Sequence, residues 1–154
     1  MLEEGQPVPA FSLPTDTAGD ISTESLSGKA YVIYFYPKDN TPGCTTEARG
    51  FTEHKAAFEA LGVTVIGVSK DSLRKHTNFR TKQELDIILA SDEDGTACEA
   101  FGVWVEKNMY GRTYMGIERA TFLIDGTGII RKIWRKVRVK GHVDAVLAAA
   151  KELL

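Results

Sequence analysis

The sequence predicts an α/β fold in which a central mixed sheet is flanked by helices. Short, continuous runs of β-branched and aromatic residues, of the kind buried on both faces, alternate with segments whose apolar residues recur at close to 3.6. The last two such runs are joined by Asp125-Gly126-Thr127-Gly128, a strong hairpin signal, so an antiparallel pair is added to strands otherwise separated by helices. At 154 residues and 43 % hydrophobic content, the chain is expected to form one domain, residues 1–154, with a core that needs no staples.

Residues 5–30 read as irregular, with a short strand at Phe11-Ser12-Leu13 and a turn over Asp16 to Asp20. Tyr31 to Tyr36 forms the first buried strand, and Pro37 ends it because proline donates nothing to a ladder. Lys38 to Gly43 is a sharp loop. Beyond it a helix is predicted from Gly43 to Leu61, stopping at Gly62, with Cys44, Ala48, Phe51, Phe58 and Leu61 on its apolar face and Gly50 marking a bend. Val63 to Val68 is the second strand, and Ser69 to Ser72 offers caps for a helix through about Gln83. Ile87 to Ala90 is the third strand. After a turn at Asp92 to Gly95, a short helix carries Cys98 and Phe101 and ends at Gly102. Residues 103–116 read as an aromatic, glycine-containing loop. Strands at 119–124 and 129–134 and a helix over 141–154 complete the chain. This order of elements is that of a thioredoxin-like fold.

A net charge of −2 and a pI near 5.9 give no reason to expect nucleic acid or an anionic membrane as partner. The basic run Arg131 to Lys140 is read as a strand with a charged outer face rather than a nucleic-acid site. Met1 to Gly5 is acidic and lacks a basic or apolar leader segment, and no apolar run approaches the length of a membrane span, so a cytoplasmic location is expected. His54, His76 and His142 are scattered without ligand spacing, and no phosphate loop or dinucleotide fingerprint is present, so neither metal nor cofactor is expected. The two cysteines, Cys44 and Cys98, fit neither a disulfide framework nor a zinc site.

Cys44 falls in the first turn of a helix that leaves the carboxyl end of a buried strand. Unpaired N–H groups and the macrodipole favour a thiolate there, and helix-start cysteines can titrate at ~3.5–7.5 rather than ~8.5. The spacing Pro37-x-x-x-Thr41-x-x-Cys44, with Glu47 following, resembles the active-site motif of the peroxiredoxins. The stretch Tyr34 to Asp39 and Thr41 to Glu47 looks like their Q-type branch, the bacterioferritin comigratory proteins. The likeness continues through Gly102-Val103-Trp104, Tyr110-Gly111-Arg112, Gly116 to Arg119 and Thr121 to Asp125, and so covers most of the chain.

That resemblance implies a thioredoxin-like fold and a thiol-dependent peroxidase acting on hydrogen peroxide and organic hydroperoxides. It implies Cys44 as the peroxidatic nucleophile, Thr41 with its hydroxyl on the sulfur and the peroxide, and Arg119 as a fixed cationic donor. Pro37 would shield the sulfur, and Glu47 would hold the arginine fork. Where many relatives carry a resolving cysteine, five residues after Cys44, this chain has Arg49, and Leu73 to Gln83 has no cysteine either. Cys98 is the remaining candidate for a resolving thiol. The expected cycle is of one-cysteine type, with thioredoxin, glutaredoxin or glutathione as external reductant, in a monomer or weak dimer. Dithiol exchange is disfavoured because Glu47 stands where Cys-x-x-Cys needs its second thiol. The other reading is a thioredoxin-like binding or chaperone module without peroxidase activity.

Overall fold

The computed structural model describes residues 1–154. β1 (Ser12–Pro14) and β2 (Asp20–Ser22) form a small antiparallel ribbon, of which only the first strand was legible in the sequence. β3 (Ala30–Phe35) is followed by α1 (Pro42–Glu53) and α2 (Lys55–Ala60), then β4 (Val63–Ser69), α3 (Leu73–Gln83), β5 (Ile88–Ser91) and α4 (Thr96–Ala100). β6 (Trp104–Met109) and β7 (Arg112–Ile117) make a second ribbon, β8 (Ala120–Ile124) and β9 (Ile130–Trp134) a hairpin, and α5 (His142–Leu153) closes the chain.

The central sheet has five strands in the order β5-β4-β3-β8-β9. β3, β4 and β5 run parallel, β8 pairs antiparallel with β3 and β9 antiparallel with β8, so the sheet is mixed, as the sequence predicts. Successive residues of a strand point to opposite faces. Val32, Tyr34 and Leu123 accordingly face α1, α2, α3 and α5, whereas Tyr31, Ile33, Phe35, Phe122 and Ile124 face the β1–β2 ribbon and α4. β3 lies in the centre, and its carboxyl end is therefore enclosed by packed structure above and below. No helix is long and apolar enough to cross a membrane.

Two local expectations are corrected, and the cap offered by Ser69 to Ser72 is narrowed to one residue. The predicted long helix breaks at His54, not at Gly50, and the His54 imidazole Nδ1 lies 2.9 Å from the Gly50 carbonyl. Gly50 instead lets α5 approach: a Cβ there would stand 3.0 Å from Val143 Cγ2. Residues 103–116, read as a loop, fall largely in a regular β6–β7 hairpin whose two-residue turn has positive φ at Tyr110 (53°) and Gly111 (76°), the geometry that matches strand twist. The N-cap of α3 is Ser72, which accepts from the Lys75 N–H.

Candidate active site

The buried strand β3 delivers its carboxyl end to a tight turn. Tyr36 still pairs with β4 through its N–H on the Val68 carbonyl (3.1 Å), and Pro37 and Lys38 are exposed. Pro42 opens α1, where its missing N–H leaves no partner unsatisfied. Cys44 is thus the third helical residue, among the unpaired N–H groups of the first turn, with 1 % of its surface exposed.

Two charged groups meet the sulfur from this end of the sheet. Arg119, in the short link from β7 to β8, donates from Nη2 to Cys44 Sγ (3.4 Å) and from Nη1 to Glu47 Oε1 (2.7 Å). Glu47 lies three residues after Cys44 and therefore on the same helix face. Gly43 makes the approach sterically open, since a Cβ there would sit 3.1 Å from Arg119 Nη2. The partners feel their pairing differently. Glu47 is fully enclosed, so burial pushes its carboxyl up to about 7 against the pull of Arg119. Burial also works against the charge of Arg119, but Glu47 and then Cys44 more than offset it and hold the guanidinium above its ordinary value.

The second Glu47 oxygen, Oε2, has no hydrogen-bond partner and lies 4.0 Å from His142 Nε2, which itself pairs with Thr121 Oγ1 at 2.8 Å. Burial, and then the nearby Arg119, push His142 down to about 4, so its imidazole is neutral behind the site. Half-buried Lys107 of β6 is also close. Burial lowers it first, Arg119 lowers it further, and Cys44 acts in the opposite direction.

The turn is pinned by a buried polar network that single-residue motifs do not announce. Tyr36 donates its hydroxyl to Asp39 Oδ1 (2.7 Å), His76 Nδ1 meets Asp39 Oδ2 (2.7 Å), and the Asp39 N–H goes to Asp71 Oδ2 (2.9 Å). His76 Nε2 lies 2.8 Å from the Ala90 carbonyl. With an acceptor at each ring nitrogen, His76 satisfies both only as an imidazolium. Burial opposes that charge, and the hydrogen bond and charge of Asp39 override it, raising the His76 pKa.

Thr41 is the N-cap of α1 without a side-chain cap, and its hydroxyl donates to the Lys38 carbonyl (2.7 Å) rather than to the sulfur. One hydroxyl hydrogen serves one acceptor, so the oxygen keeps its lone pairs for another donor. Pro37 precedes this turn at the surface, and Arg49 is exposed on α1.

Cys98 is on the other side of the sheet. It packs with Ile33, Phe35 and Phe122, whereas Cys44 packs with Val32, Tyr34 and Leu123, the alternate residues of the same strands. Both thiols are free. Burial and then the Asp92 carboxylate, which also accepts from the N–H groups of Ala97 (3.1 Å) and Cys98 (2.8 Å), push the Cys98 thiol far above its usual range. A cavity of about 780 Å³ lies on this same side between the β1–β2 ribbon and the Asp92–Ala97 turn, and Cys44 is not among the residues that line it.

Residues 5–133 match the model of the AhpC/TSA family. The chain belongs to that family. Its relatives include peroxiredoxin Bcp of Xanthomonas campestris, 48 % identical over 147 residues (94 % of this chain, 92 % of the relative), and peroxiredoxin Bcp of Bacillus subtilis, 45 % identical over 152 residues (99 % and 97 %). Among solved structures, PrxQ of Xylella fastidiosa, as a cysteine-to-serine variant, is similar with a TM-score of 0.93 at 38 % identity, covering 99 % of this chain and 97 % of that one. The Xanthomonas campestris bacterioferritin comigratory protein, described for its alkyl peroxide reduction activity, gives a TM-score of 0.87 at 46 % identity, covering 92 % and 90 %. The chain is a peroxiredoxin, a thiol-dependent peroxidase with the thioredoxin-like fold that the order of elements predicts.

Proposed function

We propose that Cys44 is the peroxidatic nucleophile of a one-cysteine cycle that reduces hydrogen peroxide and organic hydroperoxides and returns through an external thiol. The observation that carries this reading is the Arg119 fork, one arm on Cys44 Sγ and the other on buried Glu47. A guanidinium so held stabilises the thiolate and stays oriented while the charge moves. The thiolate attacks one peroxide oxygen, the O–O bond breaks, and Cys44 becomes a sulfenic acid while the other oxygen takes a proton and leaves as water or alcohol. Thr41, its hydrogen given to Lys38, accepts the peroxide O–H, and the first N–H groups of α1 with Arg119 face the charge that develops on the leaving oxygen. Pro37 shields the approach.

The whole chain acts as one domain, in the cytoplasm, where thiols stay reduced. Cys98 takes no part, because the sheet lies between it and Cys44 and its thiol is held protonated. The reductant is glutathione, glutaredoxin or thioredoxin, acting on a monomer or weak dimer. Peroxide consumption with each of these thiols tests the assignment: activity is lost in Cys44→Ser and stays within about twofold in Cys98→Ser, since substitutions away from the reacting atoms leave transition-state binding unchanged. Full activity in Cys44→Ser would refute the assignment, and a wild type that consumes no peroxide would return the chain to a binding role.

A further inference from the structure

The basic run that the sequence sets apart, Arg131 to Lys140, carries six Arg or Lys and no Asp or Glu in a chain of net charge −2. Its first part is accounted for: Arg131 pairs with Asp125 and Arg135 with Glu118. The rest joins β9 to α5 and alternates, with Val137 and Val139 half-buried and Lys136, Arg138 and Lys140 exposed. None of these three cations has a carboxylate within ion-pair distance, so folding does not explain them.

Both valines lie against residues of the Cys44 site. The Val137 N–H donates to the Arg119 carbonyl (3.0 Å), and Val139 Cγ2 stands 3.9 Å from where a Cβ on Gly43 would be, one residue before the sulfur. Consecutive Cα atoms are ~3.8 Å apart, so each cation is one residue removed from a contact with the site and faces water at its rim. Lys38, on the preceding turn, and Arg49, on α1, are likewise exposed and without ion-pair partners.

A neutral peroxide gains little from this charge, but an anionic reductant gains much. We propose that Lys136, Arg138 and Lys140 form a recognition rim for a low-molecular-mass thiol bearing carboxylates, the reductant of the Cys44 sulfenic acid. The inference rests on Cys44 being peroxidatic. A small thiol is favoured over a protein-borne one because the sulfur is 1 % exposed and no second cysteine on this face can carry the oxidation outward. In the first step the thiol sulfur bonds to Cys44 Sγ, the S–O bond breaks, and the hydroxyl leaves as water with the thiol's proton. A second thiol then breaks the mixed disulfide, restoring the Cys44 thiol and releasing a symmetric disulfide.

The two half-reactions separate the proposal from the reading beneath it. Oxidation of the full-length enzyme by hydrogen peroxide is measured first by stopped flow. Reduction of the sulfenic acid is then followed with glutathione, with neutral 2-mercaptoethanol and with cationic cysteamine, in wild type and in Lys136→Glu/Arg138→Glu/Lys140→Glu. Oxidation is expected to change by less than about twofold, while the glutathione rate falls at least about tenfold at low ionic strength, as steering by a charged rim implies. That difference should largely vanish near ~1 M salt, where the Debye length is ~3 Å. 2-Mercaptoethanol should be unaffected and cysteamine accelerated, and the Lys136→Gln/Arg138→Gln/Lys140→Gln variant should give the same pattern in weaker form. Equal slowing of all three thiols, or no slowing of any, would overturn the proposal. A wild type that forms no sulfenic acid removes the underlying reading, and the first half-reaction alone reveals it.

Discussion

Each of the two cysteines is the third residue of a helix that follows a buried strand, and each is buried, Cys44 with 1 % and Cys98 with 0 % of its surface exposed. Cys44 faces the guanidinium of Arg119, held by Glu47. Cys98 faces the carboxylate of Asp92, held by two backbone N–H groups of its own helix. A unit charge at ~4 Å is worth about 4 kcal/mol at an effective dielectric near 20, against ~0.3–1 kcal/mol for a helix terminus. The sign of the neighbour therefore outweighs the helix start that the two sites share, and at Cys98 the carboxylate adds to burial. Cys44 thus meets a cationic donor, whereas Cys98 meets a carboxylate that helps to keep it a thiol.

The contrast breaks most sharply at Arg119. Replacing it with Met should slow the reaction of Cys44 with peroxide by about 10²–10³-fold in stopped flow, the loss typical of a donor aimed at developing charge. Lys should restore part of the rate, because it returns the charge without the fork. A second difference is how each site is anchored. His76→Phe strands Asp39 as a buried, unpaired charge beneath the Cys44 turn and should cost roughly 3–5 kcal/mol in urea unfolding.

Acid–base linkage sharpens the comparison further, for only the Cys44 side carries two opposed titrations. Glu47 is raised from 4.5 to about 7, so the folded protein keeps a proton that the unfolded chain releases, and this contribution to stability is lost as pH rises across that window. His142 is lowered from 6.5 to about 4, so the unfolded chain takes up a proton that the folded protein refuses, and this contribution is lost as pH falls. Between pH 4.5 and 6.5 the two slopes cancel. His142→Gln removes one of them, and the stability of that variant should fall with rising pH by an amount on the order of 3 kcal/mol, followed by thermal unfolding in a pH series. The smallest effect belongs to the other side: Asp92→Asn should cost about 1 kcal/mol of helix capping yet leave Cys98 unmodified by iodoacetamide in the native protein.

Which parts of this were legible in the sequence follows from how local they are. The strands at 31–36 and 63–68 are continuous apolar runs, so the fold could be read directly, and Pro37, Thr41, Cys44 and Glu47 share one short stretch, so the candidate nucleophile could be read through the family motif. The β6–β7 hairpin was missed because its faces are largely exposed and polar, with Glu106, Lys107 and Asn108 in sequence, and because Tyr110-Gly111 replaces the usual Asn-Gly or Asp-Gly turn. Arg119 was legible only through the family motif. His76 and His142 carry no spacing signal, since each meets its partner across the fold: Asp39 is 37 positions from His76, and Thr121 is 21 from His142.

The most direct measurement is intact-mass spectrometry after one equivalent of hydrogen peroxide on wild type, Cys44→Ser and Cys98→Ser. Wild type and Cys98→Ser should each gain one oxygen atom, and Cys44→Ser should gain none. A loss of two hydrogens, or a crosslinked dimer, that requires both cysteines would contradict the separation of the two thiols by the sheet.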